Sequence, residues 1–308
     1  MTKQITEKLQ QKLFSNSIIF LKDGIERLVN DDNGEEDFIE PDLLILTCTS
    51  FQISIELAIK ALIVEKSGIR SIIHNKQKNL TDNEIEKLFF ENRIKTKEFD
   101  TLKNFVKSQN FIEELTKDEF RIIDEFQNYR NKIVHFTYFF PEGEFYDKKE
   151  DLLYYMIHIL FKILLSTNSQ DMKPSEFIEY TIGGDLHKKL IKYTPYINSM
   201  KRLAEQYSDK IFKCIVCGNR TYSQEEEYCY CCNFNGEHFT PIDCDYCKEK
   251  GSVIYDNLNI ELNNNEMKGL CLNCDNDGII FQCPKCGFAY NIETKIGDYC
   301  TNEKCMNE

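Results

Sequence analysis

Residues 43–66 read LLILTCTSFQISIELAIKALIVEK and lie between Pro41 and Gly68. Proline suits the first turn of a helix, where its missing N–H has no partner to lose, and glycine suits the position just past the end. The stretch is therefore read as one long helix. It sets the class of the fold because its neighbours repeat the pattern. Upstream, an amphipathic helix over residues 5–30 stops at the acidic loop DDNGEED (31–37). Downstream, Thr81-Asp82 precede NEIEKLFFENRIK with capping character. Helical periodicity returns at 99–112, 116–138, 148–167 and 186–207. SQDMKPSEFIEYTIGGD (169–185), with Pro174 and Gly183-Gly184, is read as a connector. Short connections between long helices predict an all-α helical bundle.

Composition agrees. The 308 residues include only 6 Pro and 13 Gly, too few for a turn-rich sandwich or barrel, while 22 Phe and 16 Tyr supply a bulky core. The opening MTKQITEKLQQKLF is charged and amphipathic where a secretory leader needs an apolar run. The longest apolar run, LLYYMIHILFKILL (152–165), already contains His158 and Lys162 and is too short to span a bilayer. The expectation is a cytoplasmic protein without a membrane partner, whose cysteines are metal ligands before they are disulfides.

Cysteine usage divides the chain. Of 14 cysteines only Cys48, read as a small buried hydrophobe, precedes residue 214. The division expected from this is a helical domain over 1–208 (core about 1–170, then a connector and an extra helix over 171–208) and a cysteine-rich module over 209–308. In that module five C-x2-C pairs follow one another: Cys214/Cys217, Cys229/Cys232, Cys244/Cys247, Cys271/Cys274 and Cys283/Cys286. Cys300 and Cys305 form a looser sixth. Two thiolates two residues apart reach one ion across a tight turn, and two such pairs complete a tetrahedral shell. Taken in sequence order the pairs predict three structural zinc ions, each closed by four thiolates, in a small zinc-ribbon module rich in β-hairpins and knuckles. A nested arrangement, with the first pair closing on the last, uses the same residues. Cys231, inside CYCC, is the spare, and His238 is a conceivable substitute ligand. Closed shells leave no position for an activated water, so no catalytic metal is expected.

The formal net charge is −13, and residues 209–308 carry 17 acidic against 9 basic residues. A generic nucleic-acid coat is excluded by that balance, so any nucleic-acid contact has to come from a local patch. KSGIRSIIHNKQK (66–78) is one candidate, holding Lys66, Arg70, Lys76 and Lys78 beside His74 and no acid. A weaker one holds Arg93, Lys95, Lys97, Lys103 and Lys107 among acids. Each reads equally as a solvated surface.

One polar constellation stands out in the helical part. In DEFRIIDEFQNYRNKIVHFTYFF (118–140), Phe120, Ile123, Phe126, Ile133 and Val134 form an apolar stripe, while Asn131 and His135 are four apart and share a face, with Arg130 beside it. A guanidinium grips phosphate oxygens in a fork and an imidazole titrates near neutrality, so the set suits a phosphodiester. A hydrogen-bonded structural histidine accounts for the same pattern. Glu56 and Lys60, one turn apart on the second helix, read as an i,i+4 ion pair or as support for such a site.

Arg130-Asn131-x3-His135 near the end of a late helix resembles the R-x4–6-H motif of HEPN (higher eukaryotes and prokaryotes nucleotide-binding) domains. The stretch 50–68 resembles that family's long second helix, through Ser50, Glu56 and Ile59-Lys60-Ala61-Leu62. The resemblance covers residues 1–170. It implies a bundle that forms a homodimer, bringing two motifs into one cleft, and a ribonuclease that needs no metal and leaves a 2′,3′-cyclic phosphate. His135 would then move protons, Arg130 would stabilise the crowded phosphate, and Asn131 would orient the imidazole or bind phosphate. Many members are toxins or anti-phage effectors, so RNA and an inhibitory or defence-system protein are the partners implied. The same resemblance also allows a non-catalytic dimerising or nucleotide-sensing adaptor.

Overall fold

The computed structural model describes residues 3–31, 39–77, 79–91, 93–112, 115–134, 148–168, 172–236, 241–255, 258, 261–263 and 265–291. Two compact units divide the chain at Ser199/Met200, within a helix rather than after it.

The first unit is helical. Helix α1 (Lys3–Asp31) and helix α2 (Pro41–Ser67) form its longest pair. Small residues let the two backbones approach closely. A Cβ on Gly24 would stand 2.4 Å from the ring of Phe51, which is fully buried. Two turns earlier the hydroxyls of Ser17 and Ser54 each bond the other's backbone carbonyl at 2.8 Å, so two buried polar groups satisfy each other across the seam. Helix α2 ends as expected: Gly68 has φ +77°, and its N–H bonds the Val64 carbonyl at 2.9 Å. It is the one described helix long and apolar enough to cross a membrane, yet 61% of its most apolar window is buried, as in a core helix.

Shorter helices pack around this pair. Thr81 opens α3 (Asp82–Phe90) with a capping box to Glu84. Helix α4 (Phe99–Gln109) ends on Asn110 in the left-handed region. Thr116 and Glu119 each donate a backbone N–H to the other's side chain at the start of α5 (Lys117–Val134). Glu119 is buried, which pushes its carboxyl up. The Thr116 backbone and Lys162, 3.0 Å away, override that and hold it below the ordinary carboxylate range. The expected helix over 148–167 is present as α6 (Lys148–Tyr154), a π-helical turn over Tyr155–Leu160, and α7 (Phe161–Asn168). All six residues of that turn are buried, and His158 stacks on Tyr154.

Two sequence expectations fail at prolines and glycines. The supposed connector contains α8 (Pro174–Ile182), because Pro174 sits in the first helical turn, where proline starts a helix rather than breaking one. The single helix expected over 186–207 is two, α9 (Gly184–Leu190) and α10 (Thr194–Tyr207), with Pro195 in the opening turn of the second.

The second unit carries two small antiparallel sheets. Strands β1 (Ile211–Phe212), β2 (Tyr222–Ser223) and β3 (Tyr228–Cys229) form the first. The second contains β4 (Val253–Ile254), β6 (Glu266–Cys271), β7 (Asp277–Gln282) and β8 (Ala289–Asn291) in that spatial order, with β5 (Glu261–Asn263) against β6. Its apolar core is minimal, built on Val253, Tyr255, Ile280 and Ala289 together with Cys244 and Cys271.

Candidate metal centres and the Arg130 helix

All five C-x2-C pairs adopt one turn. The residue after the second cysteine has positive φ in each: Gly218, Asn233, Lys248, Asp275 and Gly287. Its N–H bonds back to the carbonyl of the first cysteine at 2.8–3.0 Å. The first cysteine's own N–H bonds the carbonyl five residues on, in Asn219, Phe234, Glu249, Asn276 and Phe288, again at 2.8–3.0 Å. These bonds hold both thiols on one side of the turn. Glycine and asparagine accept the left-handed conformation readily, and the knuckle geometry imposes it on Lys248 and Asp275 as well.

Four of the five turns pair off in sequence order. Cys214, Cys217, Cys229 and Cys232 form one quartet and Cys244, Cys247, Cys271 and Cys274 a second, with all four sulfurs of each within 4.8 Å of one another. The nested arrangement is thereby excluded for these pairs. Two sulfur–sulfur edges of each are 3.6 Å (Cys214–Cys232) and 3.8 Å (Cys217–Cys229), and 3.9 Å (Cys244–Cys274) and 3.7 Å (Cys247–Cys271). A tetrahedron with metal–sulfur bonds of about 2.3 Å has edges of about 3.8 Å. Both quartets therefore fit a divalent ion held by four thiolates. Cys283 and Cys286 share the knuckle turn, but Cys300 and Cys305, their expected partners, lie outside the described residues, as does His238.

Side chains around the quartets offer donors to sulfur. Thr221 and Ser252 place hydroxyls 3.3 and 3.2 Å from Cys229 and Cys271, and Asn273 donates from Nδ2 to Cys247 at 3.6 Å. Burial raises the Cys247 thiol, but Asn273 and the Glu249 backbone N–H, with Cys274 and Cys244, hold it down to about 6. Cys214 is pushed far the other way by hydrogen bonds from Cys217, Cys229 and Cys232. Four crowded thiols cannot all ionise unaided, and a dication removes that conflict. Cys231 is buried outside the quartet, accepting from Asn219 Nδ2 at 3.3 Å. Composition could not single out Thr221, Asn219, Ser252 or Asn273, because nothing in their spacing relates them to sulfur.

In the helical unit, Phe120, Ile123 and Phe126 are buried as the apolar stripe of α5 requires. At the C-terminal end of that helix Arg130 Nη1 donates to Asn131 Oδ1 at 3.1 Å, with both side chains half-buried. His135 lies outside the described residues. On α2, Lys60 is buried and paired with Glu56 at 2.6 Å, the expected i,i+4 bridge. Ser50 has a partner that sequence reading missed. Its hydroxyl donates to Asp23 Oδ2 at 2.6 Å, and Arg27 grips the same carboxylate through Nε and Nη2 at 3.0 Å each. Among the described residues no hydrogen bond or ion pair joins Ser50, Glu56 or Lys60 to Arg130 or Asn131.

The basic stretches are partly neutralised. Arg70 bonds Asp82 at 2.5 Å and the Leu80 carbonyl at 3.0 Å, and Lys66 bonds Glu65 at 3.1 Å. Lys76 is exposed, and Lys78 lies outside the described residues. In the second stretch Lys103 is buried between Asp100 and Asp124, so it offers no surface charge. Comparison with protein-family models, with curated proteins and with solved structures finds no match to this chain.

Proposed function

We propose that the chain is a metal-independent endoribonuclease of the HEPN type, acting as a homodimer, with a C-terminal zinc-ribbon module that recruits substrate or partner. The observation carrying this reading is the paired, half-buried Arg130 and Asn131 at the C-terminal end of α5, with Arg130 one turn beyond the buried Phe126. The resemblance of the Arg130–His135 motif and of residues 50–68 to that family supports it. In the proposed reaction the 2′-hydroxyl attacks the adjacent phosphorus while His135 takes its proton. The P–O5′ bond breaks, the leaving 5′-oxygen is protonated, and a 2′,3′-cyclic phosphate remains. Arg130 holds the non-bridging oxygens as negative charge builds on them. Asn131 supports the guanidinium and orients the imidazole or binds phosphate. Two such motifs facing each other complete the cleft, and a toxin or anti-phage defence effector in the cytoplasm is the setting the family implies.

The quartets are assigned to structural zinc, for which four thiolates at tetrahedral spacing are the usual shell. A third ion is assigned to Cys283, Cys286, Cys300 and Cys305, because Cys283/Cys286 has the same turn as the eight cysteines of the quartets. The deciding experiment is incubation of cellular RNA with wild type and with His135→Ala, followed by mapping of the new ends. Cleavage retained in the variant, or none by wild type, overturns the nuclease reading. A second reading, a non-catalytic dimerising or nucleotide-sensing adaptor whose zinc ribbons bind a protein, is favoured by the acidic balance of residues 209–308.

A further inference from the structure

Asn273 occupies the knuckle Cys271-Leu272-Asn273-Cys274 of the second quartet. Its backbone N–H points at Cys271 Sγ, 3.4 Å away, and its side-chain Nδ2 reaches across to Cys247 Sγ. The same amide accepts through Oδ1 from Arg220 Nη2 at 2.6 Å. A guanidinium has donors only, so it dictates which end of the amide faces it and leaves the NH2 for sulfur. Arg220 belongs to the other quartet's ribbon. Its neighbour Asn219 receives the N–H of Cys214 on its carbonyl at 2.8 Å, and Thr221 on the other side lies against Cys229. Two flanking ties keep the ribbons in register: Lys213 N–H to the Leu272 carbonyl at 3.1 Å, and Lys213 Nζ to Asp275 at 2.8 Å.

We infer that Arg220 and Asn273 form a relay through which the first cysteine quartet positions the ligands of the second, so that metal retention at Cys244, Cys247, Cys271 and Cys274 depends on the first quartet being folded. Partners beyond the ligand shell orient ligands and commonly change metal affinity by about 10- to 100-fold. Asn273 contributes the donor and Arg220 its orientation; both are positioning residues. The inference rests on the reading of the quartets as zinc sites.

The test uses the full chain with zinc alone as ligand. Metal per chain is measured by native mass spectrometry, and loss to a chromophoric chelator is timed while newly alkylated cysteines are mapped. Arg220→Ala and Asn273→Ala are expected to speed release of one ion by about 10-fold or more, exposing Cys247 and Cys274 first while Cys217 and Cys232 stay protected. Arg220→Lys, which keeps the charge but loses the fork, is expected to release that ion at an intermediate rate. Cys214→Ser is expected to loosen the second ion as well as the first. Release at the wild-type rate in both alanine variants overturns the relay. So does an equal effect of Lys213→Ala, which removes the side-chain tie to Asp275 without touching sulfur. Wild type carrying no metal would instead overturn the zinc assignment itself.

Discussion

Arg130 donates from Nη1 to Oδ1 of its chain neighbour Asn131 across 3.1 Å, at the C-terminal end of a helix and one turn beyond the buried Phe126. The amide anchors one nitrogen of the guanidinium, and among the described residues no ion pair holds the others. If the site cuts RNA, Arg130→Ala lowers the cleavage rate by about 10²- to 10³-fold, the usual cost of one transition-state donor. Arg130→Lys recovers little of it, because an ammonium lacks the planar fork. Rates on a defined RNA oligonucleotide check both, and an unaltered rate in Arg130→Ala would remove the residue from the chemistry.

Asp23 predicts a pH dependence. The Arg27 guanidinium holds its carboxyl below the ordinary value of 3.8; burial opposes this, and the Ser50 hydroxyl assists. A carboxyl whose folded pKa is depressed stabilises the fold above its unfolded pKa, and that contribution disappears as pH falls through the folded value. Asp23→Asn should therefore be less stable than wild type at neutral pH, with the gap closing below about pH 4. Both Asp23 and Arg27 are more than one-third exposed, so the gap is at most about 1 kcal/mol. Urea unfolding at neutral and acid pH measures it.

Gly24 tests the seam between α1 and α2. A methyl there meets the Phe51 ring at 2.4 Å, and that ring has no solvent to swing into. Gly24→Ala should destabilise the helical unit by about 1–3 kcal/mol through overpacking, despite alanine's better helix propensity. A lower urea midpoint is the expected result. A raised midpoint would mean that the helices separate without penalty.

Metal content gives a separate prediction. Denaturation in acid with chelator should release three zinc ions per chain, and Cys283→Ser should reduce the count to two. If the quartets hold zinc, chelation should unfold the two small sheets while leaving the helical circular dichroism, since an apolar core as small as that around Ile280 would draw folding energy on the order of 10 kcal/mol per site from its metals. Loss of the helical signal together with the metals would contradict that independence.

How much of this was legible in the sequence follows from the range of each interaction. Helix α2 was readable from Pro41 and Gly68, α3 from Thr81 and Glu84, and the knuckles from their two-residue spacing, because capping and thiol pairing are settled within a few residues of chain. The same local rules misjudged Pro174 and missed the break before α10, since a proline looks alike whether it stops a helix or starts one. Partners across elements left no sequence trace. Ser50 meets Asp23 because Gly24 and Ser17 let α1 and α2 approach closely. The first quartet closes on the second C-x2-C pair rather than the last because a hairpin, β2 with β3, returns Cys229 to Cys217. Asn273 bonds both Cys247 and Arg220, residues 26 and 53 positions away in the chain. Sequence by itself determined the long helices, the knuckle turns and the cysteines that gather. Tertiary structure decided which of them face one another, because that depends on how closely separate backbones pack and not on spacing along one of them.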